Sequence, residues 1–154
     1  MLIAQPLTAE TFAPFGRVIA APEKPGRAFL GQLIENRRDS AALDFSLTHT
    51  AASTLPFEAK LMERHPVSSQ AFLALDVARF LVIVAPTIED GPDMSRAQAF
   101  IGSAGQALVY APATWHHGMI ALDRPGRFAI IMWCAEDGRN DEFHTLAQPV
   151  MVAG

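Results

Sequence analysis

Apolar and polar residues alternate along most of this chain in short runs broken by Gly, Pro and Asp clusters, a pattern that predicts strands. In residues 43–50, Leu43, Phe45 and Leu47 share one face, and Asp44, Ser46 and Thr48 the other. Residues 57–64 alternate less cleanly, with Phe57, Ala59 and Leu61 opposed to Glu58 and Lys60. Residues 80–85 are apolar without a break, as in a strand covered on both sides. Residues 17–21, 98–101, 107–111, 119–122 and 127–134 read as further strands. Helix is confined to one short turn that Thr8 can cap and that ends near Pro14. The separators at 89–93, 102–105, 123–126 and 136–138 are turn residues. Many short strands with frequent turns predict an antiparallel sandwich or barrel. The 154 residues show no repeat and no linker, so one domain, 1–154, is expected.

Composition narrows the function. Half the residues are hydrophobic, enough to bury a core, and the net charge of −4 leaves no basic footprint for nucleic acid. An anionic ligand would then need a local Arg, a metal or backbone N–H groups to receive it. The single cysteine, Cys134, lies in an apolar run and is expected to act as a small buried hydrophobe, in keeping with a reducing compartment. Residues 1–16 carry no leader pattern, and the longest apolar stretch, 128–135, is too short to cross a bilayer. A cytoplasmic protein without membrane partners is expected.

Two segments carry candidate chemistry. In 61–66, Glu63 and His65 continue the parity of Phe57, Ala59 and Leu61, which sets a carboxylate and an imidazole on the apolar face. Such groups are costly there unless paired, hydrogen-bonded or metal-bound; pairing of Glu63 with Arg64 or Lys60 in solvent is the plainer alternative. Ser69, Gln70 and Phe72 follow on the next extended piece. In 110–118, Pro112 sets a turn before Trp115, His116 and His117. Adjacent histidines point to opposite faces of a strand, so one of the two enters a given pocket. His49 shares the parity of Leu43, Phe45 and Leu47 and reads as a core histidine; His144 reads as part of a solvated polar tail. Glu63, His65, Gln70 and one of the paired histidines would suit either a transition metal or a metal-free acid and base.

These segments resemble the cupin motifs, with Glu63, His65, Gln70 and His117 at the four ligand positions. The pattern departs from the usual one at Glu63 and Gln70. A closer resemblance is to the ureidoglycolate lyase family. It rests on the stretch from Glu63 to Phe72, on Tyr110 to Gly118, on the strand near Val82 followed by Pro92-Asp93, and on the opening Pro6 to Ile19. The region 138–146 resembles that of some members, whereas 27–39 matches poorly. The resemblance implies a cupin-like antiparallel β-barrel or jelly roll, a homodimer, a place in allantoin and purine breakdown, and stimulation by a divalent metal such as nickel. It further implies elimination of urea from ureidoglycolate to leave glyoxylate.

Ureidoglycolate carries a hydroxyl, a carboxylate and a urea nitrogen on one carbon. Its elimination needs a base for the hydroxyl proton, an acid for the leaving nitrogen and positive charge for the oxyanion. On this reading Glu63, His65, His116 and His117 form the catalytic group, with proton transfer assigned to His65 and His117. Ser69, Gln70 and Trp115 contact the substrate, and Glu63, His65, Gln70 and His117 hold any metal. A cupin isomerase, or a small-metabolite-binding protein of drifted function, is the alternative.

Overall fold

The computed structural model describes residues 1–89 and 91–154. Its strands are β1 (Leu2–Ile3), β2 (Gln5–Pro6), β3 (Gly16–Ala20), β4 (Ala42–Thr50), β5 (Ala52–Ser53), β6 (Phe57–Arg64), β7 (Gln70–Ala74) and β8 (Arg79–Ala85). There follow β9 (Thr87–Ile88), β10 (Gly91–Pro92), β11 (Gln98–Ser103), β12 (Gln106–Tyr110), β13 (Trp115–His116), β14 (Ile120–Leu122), β15 (Gly126–Cys134) and β16 (Glu142–Ala153). Among the described residues the one α-helix, α1 (Ala9–Phe12), begins where Thr8 accepts a hydrogen bond from the Thr11 amide, as the sequence predicts. Asp90, within the predicted turn 89–93, lies outside the described residues.

The strands pair into two main sheets. One has nine strands in the order β1-β16-β6-β13-β8-β11-β2, with β14 on β8 and β5 on β14. The other has five, β3-β12-β7-β15-β4. A small hairpin of β9 and β10 stands apart. The predicted all-β architecture is present. Among the described residues the strands do not close into a single barrel; they divide between two sheets, which the expectation of a barrel or jelly roll allows.

Two cores explain that division. Between the sheets pack Phe12, Phe15, Phe72, Phe80, Val82, Val84, Phe100, Leu108, Tyr110 and Phe128. A second core lies on the other face of the nine-stranded sheet, from Ala59, Met62, Leu81, Ile83, Trp115, Leu122, Leu146 and Val152. Most of its members come from that sheet, which therefore curls around its own apolar face. β8 serves both cores, which accounts for its unbroken apolar run; every residue from Phe80 to Ala85 is buried. The segment through β1 and β2 pairs in parallel with β16 through Leu2 and Ile3, and with β11 through Gln5 and Pro6.

β4 corrects one expectation. Leu43, Phe45, Leu47 and His49 do share a face, but it is the outer face of the five-stranded sheet, and His49 is exposed rather than in the core. β4 is an edge strand paired only with β15, and the residues it turns inward are Ser46 and Thr48. A second correction concerns the C-terminus. The expected polar tail is the twelve-residue strand β16, and His144 is half-buried there, edge-on to Trp115 at 5.9 Å. Cys134 ends β15 half-buried. Burial, aided by Asp44 and Asp141, pushes its thiol up and away from nucleophilic use.

Candidate active site

The site begins with a slip in β6. Phe57 and Ala59 face the second core, and so does Met62, three residues after Ala59. Opposite this point β16 shifts register between Thr145 and Val150. Simple alternation would have carried Glu63 to the same side as Ala59. The slip turns it toward the five-stranded sheet, so Glu63 reaches an inner position by a route that the parity argument did not contain.

β13 lies beside β6, with His116 opposite Glu63 in register. Before β13 the chain turns through Ala113 in the left-handed region (φ 65°), and the Ala113 amide donates to the His65 carbonyl at 2.8 Å. His116 is fully buried, and its ring stacks face to face on Tyr110 at 3.9 Å. Its Nδ1 lies 2.9 Å from the Thr114 carbonyl oxygen, so Nδ1 carries the hydrogen and Nε2 the lone pair. That Nε2 sits 3.1 Å from Gln70 Oε1 and 3.4 Å from Glu63 Oε1. Gln70 opens β7, and its amide nitrogen points to Met132 Sδ.

His65 completes the group. Its Nδ1 lies 3.0 Å from the Asn140 carbonyl oxygen and 3.0 Å from Asp141 Oδ1. Both are acceptors, so this imidazole also carries its hydrogen on Nδ1. Its Nε2 is buried and meets no partner among the described residues. Ligand atoms of Glu63, His65 and His116 lie within 4.8 Å of one another.

The electrostatics follow from burial and proximity. Burial pushes the Glu63 carboxyl up, but the close approach of His116, with His65 and His117 nearby, outweighs it and holds the group below its ordinary value. Burial pushes His116 down against the pull of Glu63, which keeps its imidazole neutral. An ionised carboxylate, two imidazole lone pairs and an amide oxygen therefore converge with no donor among them. Turning the Gln70 amide over would satisfy His116 alone and leave His65 Nε2 unpaired. Two imidazoles and a carboxylate fit a divalent transition metal in donor type. Each imidazole also carries the partner on its far nitrogen that metal-binding histidines require.

The family profile described as ureidoglycolate lyase matches residues 1–153. The chain belongs to the ureidoglycolate lyase family. A ureidoglycolate lyase of Rhodobacter capsulatus is 38% identical over 161 residues, covering 99% of this chain and 98% of the relative. A putative ureidoglycolate lyase of Agrobacterium fabrum is 36% identical, covering 97% and 93%. A ureidoglycolate lyase of Burkholderia cepacia is 37% identical, covering 85% and 78%.

The sequence-predicted residues divide. Glu63, His65, Gln70 and His116 come together. His117 is not among the grouped ligand atoms, because neighbouring residues of a strand face opposite ways and His116 takes the inner position. His117 stands at the break between β13 and β14, half-buried, edge-on to Phe57 at 5.3 Å. Its Nδ1 donates to the Gly118 carbonyl at 2.7 Å, which leaves Nε2 as the acceptor. Trp115 faces the second core, where Arg64 lies 4.6 Å over its ring, so it does not wall the cluster. Ser69 turns to the opposite side of the chain from Gln70 and lines a groove with Gly16, Arg17, Gln32 and Glu35. The sequence reading passed over Tyr110 as a platform for His116, and Asn140 and Asp141 as the partners of His65. The latter carry no local signal, since only the tertiary fold brings 140–141 to His65.

Proposed function

We propose that this protein is a ureidoglycolate lyase of allantoin and purine breakdown, cleaving ureidoglycolate to glyoxylate and urea. The observation that carries this reading is the donor-free convergence of Glu63, His65 and His116 in a chain of that family. In the reaction the substrate hydroxyl loses its proton and its C–O bond becomes the glyoxylate carbonyl. The bond from that carbon to the urea nitrogen breaks, and the nitrogen gains a proton. His117 fits the base, because its acceptor Nε2 lies on a half-buried ring at the rim near Glu63. Gln70 would orient the ureido group through its amide.

Glu63, His65 and His116, with Gln70 beside them, would hold a divalent cation of the nickel class. Such an ion, when bound, supplies positive charge for the substrate carboxylate and the developing oxyanion. Without it, the ionised Glu63 would repel an anionic substrate.

The whole chain, 1–154, would act as one cytoplasmic domain; among the described residues no helix is long and apolar enough to cross a membrane. A homodimer would cover the outer face of the five-stranded sheet, where Leu43 (53%), Phe45 (67%), Leu47 (68%) and Leu73 (37%) lie exposed.

The test is to treat chelated and metal-restored protein with racemic ureidoglycolate and to quantify glyoxylate, urea and ammonia. Glyoxylate and urea in equal amounts are expected, with turnover restored by divalent metal. Ammonia in place of urea would mean hydrolysis of the ureido carbon. No turnover under any metal would overturn the reading and favour a metabolite-binding or isomerase role.

A further inference from the structure

Arg38 lies far from the cluster in sequence, in the stretch where the family resemblance is poorest, yet its side chain is only 2% exposed. One guanidinium nitrogen donates to Asp137 Oδ1 at 3.1 Å and to Asn140 Oδ1 at 2.8 Å, and another donates to the Trp133 carbonyl. These acceptors mark the end of β15, the middle of the following loop and its far end. Asn140 closes that loop on itself, taking the Ala135 amide at 3.0 Å and donating to the Ala135 carbonyl at 2.8 Å. The loop so held delivers the Asn140 carbonyl and the Asp141 carboxylate to His65 Nδ1.

The backbone around Arg38 is tied to the same region from the other side. The Arg37 amide donates to the Val67 carbonyl at 2.8 Å, and the Ser69 amide to the Glu35 carbonyl at 2.9 Å. Residues 67–69 are the link that runs from His65 to Gln70. Arg38 thus spans the two pieces of chain that flank His65. A buried cation with one carboxylate partner, and with its Nε unpartnered, is a costly way to fix a loop. An apolar side chain would pack there at lower cost. What only the planar fork supplies is a fixed spacing among three acceptors.

We propose that Arg38 is a positioning residue for His65. It holds the 135–141 loop so that His65 keeps its hydrogen on Nδ1 and presents a bare Nε2 to Glu63 and His116. If the loop shifts, Nδ1 loses its acceptors, the Nε2–H tautomer is populated, and a hydrogen points at the position a cation would take. The effect is confined to one imidazole, because His116 takes its tautomer from Thr114, on a different loop.

The inference rests on the cluster being a cation site. The test is Arg38→Met, close in length and uncharged, studied beside the unaltered protein. Nitrogen-15 NMR of the metal-free proteins reads the tautomer of each histidine, and calorimetric titration with zinc or nickel reads affinity. The expected result is a mixed tautomer at His65, an unchanged signature at His116, and metal binding weaker by roughly 10- to 100-fold. An unaltered His65 signature and unaltered affinity in folded Arg38→Met would overturn the role of Arg38 while leaving the cation site standing. No binding by the unaltered protein would overturn the cation site, and the tautomer measurement would still decide the role of Arg38. Should Arg38→Met fail to fold, Asp137→Ala removes one partner of the guanidinium at a more exposed position. A smaller change in the same direction, again confined to His65, supports the role, and no change at His65 refutes it.

Discussion

Removing the Tyr110 hydroxyl should stabilise this protein. The ring is fully buried, and its oxygen has no hydrogen-bond partner among the described residues. Burial and the charge of Glu63 hold the phenol proton far above its ordinary range, so the group stays neutral at every working pH. The ring itself is fully used. It meets Phe12 at 5.8 Å, Phe72 at 6.0 Å and His116 at 3.9 Å, and phenylalanine would keep all three contacts. A buried hydroxyl without a partner costs about 1–3 kcal/mol. The expected gain for Tyr110→Phe is the low end, about 1 kcal/mol, because the lost oxygen also leaves a small void. For a chain of this size that corresponds to roughly 2–4 °C in Tm. Urea unfolding should show a higher midpoint at unchanged slope. The comparison must be made with a chelator present, since a bound cation would add its own stabilisation to both proteins. A loss of 1 kcal/mol or more would refute the reasoning, for it would mean that the hydroxyl is bonded in solution.

Three further outcomes test other parts of the structure. Glu63→Gln and His117→Ala should both lower kcat with circular dichroism unchanged, but only Glu63→Gln should weaken metal binding in a calorimetric titration; equal loss of affinity in both would move His117 into the ligand set. Asp76 accepts hydrogen bonds from the Arg127 amide and side chain, which hold its carboxyl below the ordinary value. The stabilisation it provides is therefore present above the unfolded pKa and fades as pH falls through the lower folded value, so Asp76→Asn should be less stable than the unaltered protein at neutral pH and should converge with it in acid. Phe45→Glu places a charge in the exposed apolar face of the five-stranded sheet and should shift sedimentation to the single-chain mass at micromolar concentration; an unchanged mass would mean that any dimer uses another face.

The sequence exposed the strands better than their directions. The unbroken apolar run of β8 announced a doubly covered strand because both neighbouring cores demand apolar residues there. In β4 the same kind of signal misled, since alternation tells which residues share a face but not which face is covered. Leu43, Phe45 and Leu47 look like a core stripe and are an outer one. β16 was hidden by Gln148, Pro149 and its mixed exposure, and its register shift against β6 could not be read either. That shift decides where Glu63 points. The choice between His116 and His117 was equally closed, because it depends on where the chain re-enters the sheet after Ala113. Gln70, Glu63 and His65 could be named from residue type and spacing; the partners of His65, Asn140 and Asp141, and Arg38, which bonds to their loop, come from remote sequence and leave no local trace.

The pairing of the first strand with the last has a consequence for synthesis. Leu2 lies opposite Val152, and Ile3 opposite Ala153, so the nine-stranded sheet has no complete edge until the ribosome has released β16. Until then the opening residues have no partner on β16, and the apolar face of β6 and β8 stays open to other chains. Nascent protein should therefore depend on chaperones until β16 has emerged, and folding should be slow, because the contact of β1 with β16 joins residues as remote in sequence as Leu2 and Val152.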